Sequence, residues 1–439
     1  MSDSKFKDPG LPVPNPSLSF WLQGVRSSPL LGHRTTENLP NTTDVVIIGA
    51  GMSGASIAYF LLTGPNPPRS VVLLEAREAR KSMFTDGGYP AYKAQFGREQ
   101  AFKILQNEMD TLNLLTELVE KEGIDCDFWK RQSFDIAVSD EGADLLKRAY
   151  DEYKLDGGKM DGVVELIADA DEAKKRTRTP TAVLATSFPS STLYPYKLVA
   201  HLVNVCINSY GLNLQTSTPV LSVTRATSED KWIVETTRGA IATHKVVYAT
   251  NAWTAHLLPE YLGKIVPKRV QIGAVVPTRN YSGSRMLLSS SAWIDSLEKV
   301  DYIAQRPKDG IIIVGGRRWL IPEEDTIDQA DDSVKLDIHT NYLKEILPDF
   351  LGHWGSEGPG EGMLCDWTGI ATRNPDNVPY VGDLPGRPNA FICAGHVGHG
   401  MARILSCAQG LAAFIRGEEW EKTKIPEHFR PTKERLGVR

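Results

Sequence analysis

The clearest pattern along this chain is an apolar run ending in Ile48, a glycine cluster, and a second apolar run. Val45-Val-Ile-Ile48 has no polar alternation and predicts a strand buried on both faces. Ala55-Ser-Ile-Ala-Tyr-Phe-Leu-Leu62 then reads as a helix, and Ser70-Val-Val-Leu-Leu-Glu75 as a second buried strand ending in an acid. Over 98–122, Ala101, Ile104, Leu105, Met109, Leu112, Leu115 and Leu118 recur at threes and fours, the spacing of an amphipathic helix. The pattern predicts a helix over 195–210 and strands over 212–224, 232–237, 245–252, 265–277, 301–305 and 311–315. A last block from Cys365 to about Ile415 ends in a glycine-rich turn and a helix.

Between the first strand and helix stand Gly49, Gly51 and Gly54, a G-x-G-x-x-G spacing, with Glu75 lying 21 residues beyond Gly54. Each position has a physical task in dinucleotide binding. Gly49 allows the tight turn, Gly51 lets backbone N–H groups approach a pyrophosphate, and Gly54 lets helix and strand pack closely. Met52 and Ser53 open the helix, whose N-terminus favours phosphate. Glu75 is placed to grip a ribose, with Ala76 and Arg77 next to it.

The order of segments predicts an interleaved α/β chain with a Rossmann-type nucleotide domain. That domain would be built from 43–95, 191–255 and 361–420, and a substrate domain from 96–190 and 256–360. Residues 1–42 read as an N-terminal arm anchored by Phe20-Trp21-Leu22, and 421–439 as a tail. The net charge is −5, which argues against a nucleic-acid partner. No apolar run reaches membrane-span length, and no signal peptide is evident. Five scattered cysteines fit a reducing, cytoplasmic setting and show no metal spacing, so no metal site is expected.

Taken together, the fingerprint, Val247-Tyr-Ala-Thr-Asn-Ala-Trp253, Cys365-Asp-Trp-Thr368 with Asn374-Pro-Asp376, and Gly395-His-Val-Gly-His-Gly-Met-Ala-Arg403 resemble the glycine/D-amino-acid oxidase-like superfamily of FAD-dependent oxidoreductases. The likeness is particularly to the branch of sarcosine oxidase-like and fungal enzymes. It implies an FAD domain, a substrate domain on an antiparallel sheet, and oxidation of a C–N bond by hydride transfer to flavin. It places Val220, Ala249, Asn251 and Trp253 near the FAD. It also places Gly395, Val397, Gly398, Gly400 and Met401 near the isoalloxazine. Cys365 matches a cysteine bonded covalently to the flavin in sarcosine oxidases.

Two stretches depart from that resemblance. After Glu75 the chain reads Ala76-Arg-Glu-Ala-Arg-Lys-Ser-Met-Phe-Thr-Asp-Gly-Gly88 in place of small, flexible residues, leaving Ser82 and Thr85 as hydroxyl contacts. Gly310-Ile-Ile-Ile-Val-Gly-Gly316 lacks the lysine that promotes reaction with O₂ in sarcosine oxidases, so His396, His399, Arg317 and Arg318 are the candidate catalytic cations. Arg269, Gln271, Tyr302, Arg306 and Trp367 are candidate substrate contacts, an arginine being suited to a carboxylate. The expected partners are a small amine, amino acid or amine-bearing natural product, and O₂ or another electron acceptor. The altered loop keeps an alternative open: a drifted scaffold performing a non-redox step such as a cyclisation, with FAD structural or absent.

Overall fold

The computed structural model describes residues 6–76, 88–226 and 230–437. Arg77, Ser82 and Thr85, and all of the altered loop before Gly88, lie outside the described residues.

Two eight-stranded sheets organise the chain. The first runs, in spatial order, Tyr380–Asp383, Ala390–Ala394, Gly239–Tyr248, Thr42–Ile48, Val71–Leu74 and Asn213–Gln215. All its neighbours are parallel except the outermost pair, Tyr380–Asp383 with Ala390–Ala394. An antiparallel hairpin, Val220–Arg225 with Trp232–Thr236, attaches through Gly239–Tyr248. The strand Thr42–Ile48 shows why its sequence lacks alternation. Val45 and Ile47 join the core beneath the helices Met52–Thr63, Arg98–Glu122, Pro195–Tyr210 and Gly400–Ile415, while Val46 and Ile48 join a separate core on the other face. Each such side chain contributes about 1.5–3 kcal/mol when fully buried.

The second sheet runs Gly362–Arg373, Val266–Val276, Ile312–Gly315, Val300–Gln305, Ser290–Ile294, Trp129–Ala137, Leu184–Thr192 and Glu165–Ile167. It is antiparallel apart from one parallel pair, Ser290–Ile294 with Trp129–Ala137. One face packs on the helix Asp337–Phe350 through Leu343, Ile346 and Leu347. The expected α/β architecture, with a Rossmann-type half and a second sheet-based half, is what the chain adopts.

Three segment assignments need correction. Gly362–Arg373 belongs to the second sheet, because its backbone pairs with Val266–Val276 along its whole length. Leu184–Thr192 stays with that sheet to Thr192, two residues past the expected end at 190. The helix Arg98–Glu122 packs on the nucleotide half: Ala101, Ile104, Leu115 and Leu118 share a core with Leu405, Ala408 and Leu411 of the C-terminal helix. Periodicity identifies an amphipathic helix but not the sheet its apolar stripe covers. Among the described residues no helix is long and apolar enough to cross a membrane.

Candidate functional site

The two sheets meet along one large cleft that is open to solvent. Its floor begins where Thr42–Ile48 ends. Gly49 turns the chain at φ 102°, and a Cβ there would sit 2.6 Å from the Ala249 carbonyl oxygen. At Gly54 a Cβ would fall 1.8 Å from the Gly49 oxygen, so the helix Met52–Thr63 can cross the strand end this closely only with glycine. Gly51 stands at the N-cap of that helix, and its amide end opens on the cleft. The Glu75 carboxylate accepts the Ala50 N–H at 2.8 Å, which fixes it beside the glycine turn. Ile48, Gly49, Gly51, Met52, Ser53, Glu75, Ala76 and Val220 all line the cleft.

The far end is made by the turn 395–400. Gly395, Val397 and Gly398 hold positive φ of 73°, 47° and 78°. Side chains brace the turn from three directions. Asn251 Oδ1 accepts from the Gly395 and His396 amides at 3.0 and 3.4 Å. Asn374 Nδ2 donates to the Gly395 oxygen at 2.6 Å, and the Val397 amide donates to Thr372 Oγ1 at 3.1 Å. His396 is buried, with its Nε2 3.3 Å from Ser53 Oγ, tying this turn to the first helix. The helix Gly400–Ile415 then starts with its amide end at the cleft.

Behind the turn lies a buried ionic cluster. Arg403 Nε and Nη2 reach Glu108 Oε1 at 2.8 and 2.7 Å, Arg403 Nη2 meets Tyr92 Oη at 2.6 Å, and His399 Nδ1 lies 3.4 Å from Glu108 Oε1. Burial alone would raise the Glu108 pKa, but Arg403 and then His399 outweigh it and hold the carboxyl at about 2. Arg403 has no exposed surface, and its guanidinium is pushed upward: burial opposes the proton, while Tyr92 and Glu108 more than compensate.

The structure sorts the expected residues. Ala249, Asn251, Trp253, His396, Val397, Gly398, Gly400 and Trp367 line the cleft with the fingerprint residues; Gly395 and Met401 stand behind it. Several candidates are committed elsewhere. Arg269 donates to the Asp331 and Asp325 carbonyls, and Gln271 binds Leu336, Thr340 and Asp366. Arg306 pairs with Asp127 and Asp309. Arg317 pairs with Asp301 and Asp349, and neither it nor Arg318 lines the cleft. Tyr302 lies across Gly315, on the second sheet and off the cleft wall. His399 faces Glu108 and not the cleft.

Cys365 is also displaced from its expected place. Its Sγ accepts from Gln23 Nε2 at 3.5 Å, it shares a cluster with Phe20, Trp21 and Trp367, and burial raises its pKa. The segment from Gly362 to Arg373 is one continuous strand, so Cys365 lies about 7 Å beyond Trp367, the nearest strand residue on the cleft wall, and about 20 Å from Thr372 at the turn. Sequence reasoning missed His256, Thr372 and Asn374. It also missed the arm residues Gly10, Leu11, Pro12 and Ser19, which complete the wall. Nothing in local periodicity marks an extended arm as part of a cleft. Asn374 had a signal, since it stands in the Asn-Pro-Asp sequence noted above.

These residues fit an extended dinucleotide. A glycine-lined helix start and a fixed carboxylate stand toward one end, a second helix start stands at the other, and the close backbone approaches exclude Cβ atoms. Similarity to known proteins agrees. The glycine oxidase of Geobacillus kaustophilus is 25% identical over 390 residues, 84% of this chain and 91% of its own. A probable oxidoreductase of Haemophilus influenzae is 22% identical over 414 residues, covering 88% of this chain and 87% of its own. Among solved structures, that glycine oxidase superposes with a TM-score of 0.71 at 20% identity, over 90% of this chain and 99% of its own. An L-proline dehydrogenase from P. horikoshii gives a TM-score of 0.71 at 20% identity, over 91% and 100%. The family described as FAD dependent oxidoreductase matches residues 44–414, most of the chain and the elements around the cleft apart from the N-terminal arm. With its glycine turn, fixed carboxylate and C-terminal helix start in place, this chain belongs to the DAO family of FAD-dependent oxidoreductases.

Proposed function

We propose that the chain oxidises a C–N bond in an amine or amino acid, as a member of the sarcosine oxidase-like and fungal branch. The single observation that carries this reading is the cleft itself. One wall is the dinucleotide cradle, and the opposite wall is an apolar surface from the second sheet and the arm, with Trp367 and Trp21 upon it. Its structural relatives include a glycine oxidase, an L-proline dehydrogenase and an L-amino acid deaminase, which act on amino acids, beside an L-α-glycerophosphate oxidase that does not.

FAD held there supplies a two-electron hydride acceptor. Gly49, Gly51 and Glu75 would hold its diphosphate and ribose, and the 395–400 turn would face its ring. This chain's own contribution is position and electrostatics. The amide end of Gly400–Ile415 favours negative charge developing at the cleft end. His396 Nε2 and Ser53 Oγ share one hydrogen bond at the wall, a short path on which a proton can sit without leaving the site. Trp367 and the arm give the cleft an apolar wall.

No lysine stands at 310–316, and Arg317 and Arg318 are off the wall, which leaves His396 as the candidate cation on the wall for reaction with O₂ or another electron acceptor. The sparse cysteines, none disulfide-bonded among the described residues, support a cytoplasmic setting, and an amine-bearing natural product belongs to the same proposed substrate class. The experiment is anaerobic titration of the purified holoprotein with N-methyl amino acids, D- and L-amino acids and cyclic amines, with product mass determined. Flavin bleaching and a product lacking two hydrogens, or its hydrolysed imine, are expected. A product isomeric with its substrate and formed without flavin would refute the reading.

A further inference from the structure

We infer that the N-terminal arm is part of the substrate pocket, and that Trp21, braced against Trp367, selects amines carrying a flat apolar substituent. This rests on the C–N oxidation proposed above and narrows its substrate class.

The arm is built into the cleft and not merely laid over it. Ser17 N–H donates to the Asp332 oxygen at 2.8 Å, and Ser17 Oγ accepts the Thr368 N–H at 2.8 Å, joining the arm to the strand that walls the cleft. Three residues on, Phe20–Gln23 forms one helical turn whose Leu22 is fully buried against Tyr194 and Tyr196. Tyr194 Oη donates to the Trp21 oxygen at 2.6 Å, which fixes the backbone from which the indole projects.

The indole is held as firmly as its backbone. Trp21 meets Tyr194 edge-on at 5.1 Å and Trp367 edge-on at 6.4 Å, while Phe20 stacks on Trp367 at 6.4 Å. Behind these rings the Arg306 guanidinium sits 5.2, 5.5 and 5.0 Å from Phe20, Trp21 and Tyr194. Its charge is balanced by Asp127 and Asp309, so the cation serves the rings and is not offered to a substrate carboxylate. Trp21 and Trp367 then line the same cleft as His396, Val397 and Gly398. A rigid edge-to-face pair already held at the correct angle adds aromatic contact with little ordering cost, of the size that shifts binding about 10-fold for one ring.

The test uses the flavin-loaded full chain as wild type, Trp21→Ala and Trp21→Phe, with sarcosine and N-methylbenzylamine as probes in anaerobic bleaching. Wild type is expected to show the lower KM for N-methylbenzylamine. Trp21→Ala should raise the ratio of the two KM values, N-methylbenzylamine to sarcosine, about 10-fold, with Trp21→Phe recovering most of it. A wild-type preference for sarcosine, or equal changes for both probes in Trp21→Ala, would overturn the inference. So would loss of flavin from folded Trp21→Ala, because the wall would then serve the cofactor. If neither probe bleaches the flavin, the visible spectrum is titrated with N-methylbenzylamine. Saturable perturbation weakened in Trp21→Ala supports the aromatic wall while removing C–N oxidation; no perturbation overturns the wall as well.

Discussion

Replacing Glu108 by glutamine removes the one carboxylate that Arg403 and His399 share behind the 395–400 turn. The Glu108 side chain is 24% exposed and Arg403 wholly buried, so solvent can do little to compensate the cation left behind. Holding the carboxyl at about 2 against its ordinary 4.5 corresponds to about 3 kcal/mol at 1.36 kcal/mol per unit. Removing one partner of a buried pair costs a similar ~3–5 kcal/mol. Because the folded pKa lies below the unfolded one, this stabilisation is present above pH 4.5 and is lost as pH falls toward about 2. For a chain of 439 residues melting as one unit, the expected loss is about 3 °C in Tm at pH 7, and more if the nucleotide half melts separately. The assay is thermal unfolding of wild type and Glu108→Gln from pH 7 downward, each with and without added FAD. The difference between them should narrow through the acid range, and the variant should retain flavin less tightly. A gap that does not change with pH, or none at pH 7, would refute the argument that Arg403 and His399 stabilise this charge.

Gly54→Ala should abolish flavin retention and lower Tm, since its Cβ would lie 1.8 Å from the Gly49 oxygen and force helix and strand apart; flavin content after gel filtration measures it. Asp135, whose carboxyl burial pushes up to about 7, should destabilise the fold increasingly as pH rises from 3.8 toward 7. Asp135→Asn should therefore raise Tm at pH 8 and have little effect at pH 4, as differential scanning calorimetry will show. Acid precipitation of the holoprotein should leave all yellow colour in the supernatant, in wild type and Cys365→Ala alike, because Cys365 is off the cleft wall; colour in the pellet contradicts that placement. Asn251→Ala, which frees the Gly395 and His396 amides from their shared acceptor, should weaken FAD binding about 10-fold by fluorescence titration, in line with two charge-neutral hydrogen bonds, one of them long, lost in a buried turn.

The nucleotide half was legible because its signals are local. An unalternated Val45–Ile48, glycines at fixed offsets and an acid after the second strand state a backbone shape and a chemistry within one short stretch. Gly49 and Gly54 stand where a Cβ cannot, as the spacing predicted, and the helices over 98–122 and 195–210 formed where their periodicity placed them. What local pattern cannot state is which surface an element meets. The stripe of Arg98–Glu122 covers the nucleotide half and not the substrate half, and Gly362–Arg373 left the expected domain because backbone pairing over its whole length decides sheet membership. Arginines on strands carry no label for their partner. Arg269, Arg306 and Arg317 looked available for a substrate until carbonyls and carboxylates from distant segments closed on them. Likewise Cys365 and Asn374 are near each other in sequence, but a continuous strand at about 3.3 Å per residue holds one near its start and the other just past its end. Sequence determined the cradle because its constraints act on the backbone within a few residues; the tertiary structure decided the substrate wall, where Trp21 and Trp367 meet across 345 residues of intervening chain.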